Sequence, residues 1–399
     1  MKKVSTDVCI VGSGPAGALL GLLLAKKGHE VILLERFSHF NREYRGEILQ
    51  PSTLNMLDDL GLLEYILEQP HNRIEKGGIY ASGKRIMNFT MEDLSHEYPF
   101  AIQMAQATFI EALLAEAKKY PNFSILMNAH IKELVKDEDH KIIGVKGTIE
   151  KEPAEILARI TVGSDGRNST LRKLSPFQVT NEHHRSNLIW FTVDWPSHLP
   201  YDLMYMLTGQ NNLFMIPKYP NKMQIGYTFT KDQLSRVKEN NYEEIKKLSS
   251  QQFPEIKTQL DAAKDFVQLQ VISLTLNQWS TDGFVLIGDA AHVMTPIGVI
   301  GINVALADAI TAGNVIGQSL NEEDYSEEKL TLIDQERKAE VDMLQNLQIR
   351  IESIIFTTNP MISRIRPLFI NIVSKTPLVK KLMRKFFFPV KSETTLSKI

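Results

Sequence analysis

The chain has 399 residues, 43% of them hydrophobic and 23% charged, which exceeds the usual single-domain length and supplies a sizeable core. A formal net charge of −2 gives no global attraction to nucleic acid. The one cysteine, Cys9, excludes an internal disulfide framework and a multi-cysteine metal site.

Cys9 lies inside the apolar run 8–11 and reads as a core filler. The Met1-Lys2-Lys3 start lacks the apolar region and cleavage site of a signal peptide, and no stretch of about 18 apolar residues is present. A cytoplasmic setting is the expectation.

In chain order, residues 7–11 form an apolar run ended by glycines, the pattern of a strand buried on both faces. Residues 16–27 are rich in Ala and Leu and predict a helix closed by Gly28. Residues 30–34 predict the next strand, with Glu35 at its end, completing a β-α-β unit. Residues 52–60 predict a short helix with a Ser52 cap, ending at Gly61.

From Arg73 to Met91 the pattern changes to short alternating pieces broken by Gly77-Gly78 and Gly83, which predict strands of a second unit. Thr108 and Glu111 form a capping box and predict a helix that starts there and ends before Pro121. Residues 142–147 and 156–162 predict strands leading into Gly163-Ser164-Asp165-Gly166.

Residues 176–280 are rich in aromatics, Thr, Asn and Met, with few long helical patterns. Seven of the 14 methionines fall in 71–105 and 176–280, which suits either an adaptable apolar cavity or an ordinary core. Residues 284–287 predict another buried strand, followed by a helix over 303–316. Residues 326–357 carry Val341, Leu344, Leu347, Ile351 and Ile355 at helical spacing and predict one long helix.

Gly12-Ser13-Gly14-Pro15-Ala16-Gly17 satisfies G-x-G-x-x-G in the strand-to-helix context that the motif requires. Gly12 permits the turn, Gly14 admits a pyrophosphate, and Gly17 allows close packing. The helix N-terminus offers free N–H groups to phosphates. Glu35, 18 residues after Gly17, is placed to accept hydrogen bonds from a ribose diol, so the loop suits the adenosine of FAD or NAD. A second glycine segment, Gly288-Asp289-Ala290-Ala291-His292, precedes Pro296, Gly298, Gly301 and Asn303. A carboxylate after a strand can accept a polyol hydroxyl, and a Gly/Pro loop at a helix start can aim N–H groups at an anionic ring.

These segments, with Gly163-Ser164-Asp165-Gly166-Arg167-Asn168-Ser169 running to Arg172 between them, resemble the group A flavoprotein monooxygenases, the class of p-hydroxybenzoate hydroxylase. The resemblance spans residues 4 to about 320. It implies an α/β fold, a Rossmann-like FAD-binding domain interleaved with a mixed β-sheet substrate domain, plus a C-terminal helical region. The implied division is 1–70, 106–175 and 281–325 for FAD, 71–105 and 176–280 for substrate, and 326–399 for C-terminal helices and a basic tail.

The cofactor residues so implied are Gly12, Gly14, Pro15, Ala16, Gly17, Glu35, Arg36, Asp165, Asp289, Pro296, Gly298, Gly301 and Asn303. Arg45 and Gln106 match family flavin contacts more loosely. Asp289 is expected on the ribityl chain, and 298–303 against the pyrimidine side of the ring. Asp165 serves equally well as an Asx-turn residue, and Arg167 and Arg172 offer charge to a nicotinamide nucleotide.

The implied reaction uses NAD(P)H to reduce FAD. O2 then adds to the reduced flavin, and the hydroperoxide hydroxylates or epoxidises a small organic molecule, aromatic or quinone-like. No catalytic base is evident. His292 stands near the flavin by resemblance, as a structural residue or a proton donor, and Tyr201, Tyr205 and Tyr227 fall in the substrate unit. Reductases of the geranylgeranyl type and halogenases use the same scaffold, although 212–217 lacks the tryptophans of the halogenase W-x-W-x-I-P segment. A non-catalytic FAD-binding protein is a third reading. No metal site is expected.

Residues 361–399 hold nine Lys or Arg against Glu393 alone, interleaved with Leu378, Leu382 and Phe386 to Phe388. Such an amphipathic tail either lies on an anionic membrane surface or packs on the flavin unit or a partner subunit.

Overall fold

The apolar run at the N-terminus is the strand Lys2–Val11, centred in an eight-stranded sheet. The computed structural model describes residues 2–40, 47–82, 84–93, 97–183, 187–199, 202–208, 211–229, 233–240, 242–263, 265–355 and 359–387. Lys2–Val11 pairs in parallel with Val31–Leu34 on one side and Glu152–Gly163 on the other. Phe123–Leu126 and Phe284–Leu286 extend the parallel array outward. The stretches 8–11, 31–34, 160–163 and 284–286 of these strands are buried and almost wholly apolar because helices cover the sheet there. Cys9 is buried in it and, as expected of a core filler, its thiol is pushed up to about 12 by burial.

The helix Pro15–Lys26 packs between this sheet and Gly301–Glu322, and ten of its twelve residues are buried. Gly301–Glu322 has the length and apolarity to cross a membrane, but 72% of its apolar window is buried inside the protein. Glu327–Ile355 is the long helix that the sequence predicts, and it buries Val341 and Leu344.

A second sheet of seven strands runs in the order Val267–Gln270, Asn187–Asp194, Lys222–Phe229, Asn211–Lys218, Leu203–Thr208, Lys76–Ala81 and Lys84–Thr90. Strand alternation gives it two faces. Phe191, Val193, Met204, Met206, Met215, Met223 and Ile225 form one, packed against Ile245, Phe253, Ile256 and Leu260. Trp190, Thr192, Ile216 and Gln224 belong to the other face, which lines a cavity. Four methionines thus serve as sheet core, and the alternative of a methionine-lined cavity does not hold for them.

Several local expectations are corrected. The helix expected at Thr108 spans Gln106–Ala117 and has no side-chain cap, because Gln106 and Ala107 continue it upstream. The 52–60 helix is Pro51–Asp59, with Pro51 at N1 and Ser52 buried inside rather than capping. Residues 234–262, in a segment with few helical patterns, contain three short α-helices and no described strand. The C-terminal helices expected beyond 326 are present: the basic segment as far as Phe387 forms Pro360–Ser374 and Pro377–Phe387, and residues 388–399 lie outside the described residues.

Candidate active site

The glycine loop acquires its shape from three different constraints. Gly12 has φ +102, and a Cβ there would stand 2.5 Å from the Ser164 carbonyl oxygen. Gly17 packs so closely that a Cβ would meet the Gly12 carbonyl oxygen at 2.0 Å and Ser164 Oγ at 2.5 Å. Gly14 is different: no protein atom lies within 4 Å of the Cβ position. It caps the helix Pro15–Lys26, with Pro15 at N1. The loop therefore presents an open concavity at a helix N-terminus, the arrangement that receives a phosphate. Ser164 ties the loop to its neighbour, since its hydroxyl donates to the Gly12 carbonyl at 2.6 Å.

Glu35 is buried at the end of Val31–Leu34 and accepts from Ser13 N at 3.2 Å and Phe37 N at 3.0 Å. A short hydrogen bond from the Ser13 hydroxyl also reaches it.

Asp165 spends both carboxylate oxygens on the following turn. It accepts from the Ser169 hydroxyl, from Thr170 N at 2.6 Å and from Leu171 N at 3.1 Å, so its Asx-turn role is realised. Ser169 in turn caps the helix Thr170–Leu174. Arg167 and Arg172 turn toward the third motif. Arg167 Nε lies 3.2 Å from Asp289 Oδ2. Arg172 Nη1 donates to the carbonyls of Asp289 (2.9 Å) and Ala290 (3.0 Å). Burial lowers the Arg172 pKa, partly offset by Asp165, Asp289 and Glu182. The middle motif is thus a brace that orients Asp289.

One cavity of about 1310 Å³ gathers these pieces. Gly12, Gly14, Pro15, Ala16, Glu35 and Arg36 line one end. Gln106, Asp165, Asp289, Pro296 and Gly301 line its course, and the inner face of the second sheet supplies Trp190, Thr192, Ile216 and Gln224. Glu47 and Lys218, 3.9 Å apart, join the two sides.

Gly17, Arg172, Tyr205, Tyr227, His292, Gly298 and Asn303 lie off the cavity wall, Tyr227 being buried in the core of the second sheet. Gly17 works behind the loop, as described. Gly298 has φ +75 and shapes the turn before Gly301–Glu322, its carbonyl held by Gln50 Nε2 at 3.1 Å. Val299 beside it has φ +55, a strained conformation for a β-branched residue. Asn303 is fully buried, accepting from the Thr53 hydroxyl and Gln50 N. The Tyr205 hydroxyl is buried beside Phe214, and burial drives its pKa well up. His292 is buried with its Nε2 2.6 Å from Asp308 Oδ2. Neither Tyr205 nor His292 reaches the cavity. Arg45 and Tyr201 lie outside the described residues.

The structure also brings in residues that carried no motif. Asp308 Oδ2 accepts from Gly288 N at 3.0 Å, and Oδ1 accepts from Arg337 Nε at 2.8 Å. Burial raises the Asp308 pKa, but His292 and Arg337 together outweigh it and hold the carboxyl below its ordinary value. An ionised Asp308 only accepts, so His292 Nε2 carries the hydrogen. Gln348 Nε2 donates to the carbonyls of Thr295 (3.0 Å) and Ile297 (2.8 Å), while its Oε1 accepts from Thr295 N. Gln345 grips Val293 in the same way at 3.1 Å. A polar residue on the buried stripe of a long helix was the available signal.

The arrangement fits FAD. An open helix N-terminus with a buried acid beside it suits the ADP half, and Asp289 followed by a Gly/Pro turn at a second helix N-terminus suits the flavin half. A fold with these two grips on one cavity defines a flavin-dependent oxidoreductase. The FAD binding domain family model matches residues 5–345, and the chain belongs to that family, as an FAD-dependent monooxygenase.

The chain is 29% identical over 388 residues to 6-methylpretetramide 4-monooxygenase of Streptomyces rimosus, covering 96% of this chain and 92% of that one. It is 23% identical to protoasukamycin 4-monooxygenase of Streptomyces nodosus subsp. asukaensis, covering 94% and 95%. Its fold matches that of p-nitrophenol 4-monooxygenase from Pseudomonas putida DLL-E4 with TM-score 0.77, at 17% identity and 97% coverage of each chain.

Proposed function

We propose that this enzyme uses NAD(P)H and O2 to hydroxylate an extended, planar aromatic or quinone-like small molecule. Substrate, O2, NAD(P)H and a proton give hydroxylated substrate, NAD(P)+ and water. The observation that carries the reading is the continuity of the cavity. At about 1310 Å³ it exceeds the roughly 300–1,000 Å³ of an ordinary ligand site, leaving room for a second molecule beside a dinucleotide.

Bound FAD supplies the electron transfer and the activation of oxygen. The chain's residues do the holding. The Gly12–Gly17 loop takes the pyrophosphate at its helix N-terminus, Glu35 accepts from the ribose diol, and Asp289 accepts from the ribityl chain. Residues 296–301 present backbone N–H groups at the start of Gly301–Glu322, whose dipole favours negative charge on the ring. Trp190 and Ile216 offer flat apolar contact to the substrate, and Thr192 and Gln224 offer hydrogen bonds. The relatives' named substrates, 6-methylpretetramide and protoasukamycin, support an organic substrate of this class.

The test is turnover of purified holoenzyme with NADH or NADPH and a panel of polycyclic phenols, under air and under nitrogen. The expected product gains one oxygen atom, labelled when 18O2 is supplied. Product formed under nitrogen, or a halogenated product that needs added halide, overturns the reading.

A further inference from the structure

The C-terminal helices carry a surface that the oxygenase chemistry does not use. Pro360–Ser374 is capped by Asn359, whose side chain accepts from Met361 N at 2.9 Å. Its orientation is fixed by Arg366, which is buried and donates to the Ile355 carbonyl and to Asn212 Oδ1. With that side held inward, Met361, Ile362, Ile365, Leu368, Phe369 and Ile372 point away from the protein. They are 44–71% exposed, and at about 100° per residue they share an arc of roughly 120°. No described residue covers them.

The charge around this stripe is of one sign. Residues 360–387 contain seven Lys or Arg and no Asp or Glu. Lys375, Lys380, Lys381 and Arg384 are exposed. Pro377–Phe387 is docked through Lys380, 2.7 Å from Asp93 Oδ1, and through Arg384 to the Asp93 carbonyl. A second copy of the same face would set cations against cations. An anionic bilayer answers both features, taking apolar side chains below its headgroups and pairing cations with phosphates.

We infer that Pro360–Ser374 and Pro377–Phe387 form a membrane-docking face that seats this enzyme on anionic lipid, with the Met361-to-Ile372 stripe buried at the headgroup boundary. The docking is peripheral, because helices of 15 and 11 residues are shorter than the roughly 20 residues that cross a bilayer.

Flotation of the full-length FAD-loaded enzyme with vesicles tests this. One set is phosphatidylcholine alone, and the other contains about one third phosphatidylglycerol. The enzyme is expected to float with the anionic set at low salt and to be released at high salt. Leu368→Gln with Phe369→Gln should abolish flotation while leaving thermal unfolding and flavin absorbance unchanged, because both side chains are already in solvent. Lys375→Gln and Lys381→Gln should each lower the partition coefficient about fivefold. Absence of flotation at low salt overturns the inference, as does equal flotation of the Leu368→Gln/Phe369→Gln variant. A dimer in light scattering that the same pair of substitutions dissociates also overturns it and assigns the stripe to a second copy.

Discussion

Two glycines three positions apart, Gly14 and Gly17, should fail in opposite ways. Gly14→Ala adds a methyl group where no protein atom lies within 4 Å, and the backbone at φ −65, ψ 179 is open to alanine. The protein without FAD should therefore be unharmed, and the stiffer unfolded chain should stabilise it by about 0.4–1 kcal/mol. The same methyl stands in the concavity assigned to the pyrophosphate. Overpacking there should cost about 1–3 kcal/mol of binding, roughly 5- to 150-fold in the Kd for FAD. Gly17→Ala drives its methyl to 2.0 Å from the Gly12 carbonyl oxygen, a backbone atom that cannot rotate away. That substitution should destabilise the FAD-free protein itself by about 3 kcal/mol. The assay is urea unfolding of the FAD-free variants beside titration with FAD, followed by flavin fluorescence. A Gly14→Ala protein that binds FAD with wild-type affinity would refute this placement of the pyrophosphate. A Gly17→Ala protein with wild-type stability would refute the packing argument.

Gln348→Leu keeps most of the side-chain volume but leaves Thr295 N and the Thr295 and Ile297 carbonyls without their partner. A loss of about 2–4 kcal/mol in urea unfolding is expected, with weaker FAD binding, and a loss under about 1 kcal/mol would contradict the role given to this helix. Asp308→Asn should cost about 3–5 kcal/mol at neutral pH, because Arg337 loses a buried counter-charge. The folded Asp308 pKa is depressed, so its stabilisation is complete above the ordinary value of 3.8 and disappears as pH falls through the lower folded value. The gap between wild type and variant should thus narrow only in strong acid; a gap independent of pH down to unfolding would be the wrong result. Val299→Gly releases a φ of +55 and should raise the stability of the FAD-free protein by about 1 kcal/mol while lowering kcat, as the turn before Gly301 loosens. Calorimetry and steady-state kinetics on one preparation check both halves, and unchanged stability would show that the turn stores no strain.

What the sequence reveals of this site follows from how far apart the interacting residues are. Gly12, Gly14 and Gly17 are readable because a strand, a turn and a helix start within a few residues dictate their conformations. Asp289 is readable because a strand end and a glycine precede it. The residues that hold these pieces rigid are a different case. Asp308 reaches back 20 residues to Gly288, Gln348 reaches 53 residues to Thr295, and Arg172 reaches 117 residues to Asp289. Only the folded chain names such partners, since any buried amide or carboxylate on a helix satisfies the same local pattern.

The capping box at Thr108 failed for the opposite reason. Its local pattern is sound, yet Gln106 and Ala107 extend the helix upstream and bring Gln106 into the cavity. Asn303 and His292, which stand among the motif residues, turn out to face inward. They join Gln50 and Asp308 in fixing the loops of the 288–303 segment from behind, so that segment rests on a buried polar layer. In such a layer a single unpaired atom costs about 1–3 kcal/mol, which makes the supporting residues as sensitive to substitution as those that line the cavity.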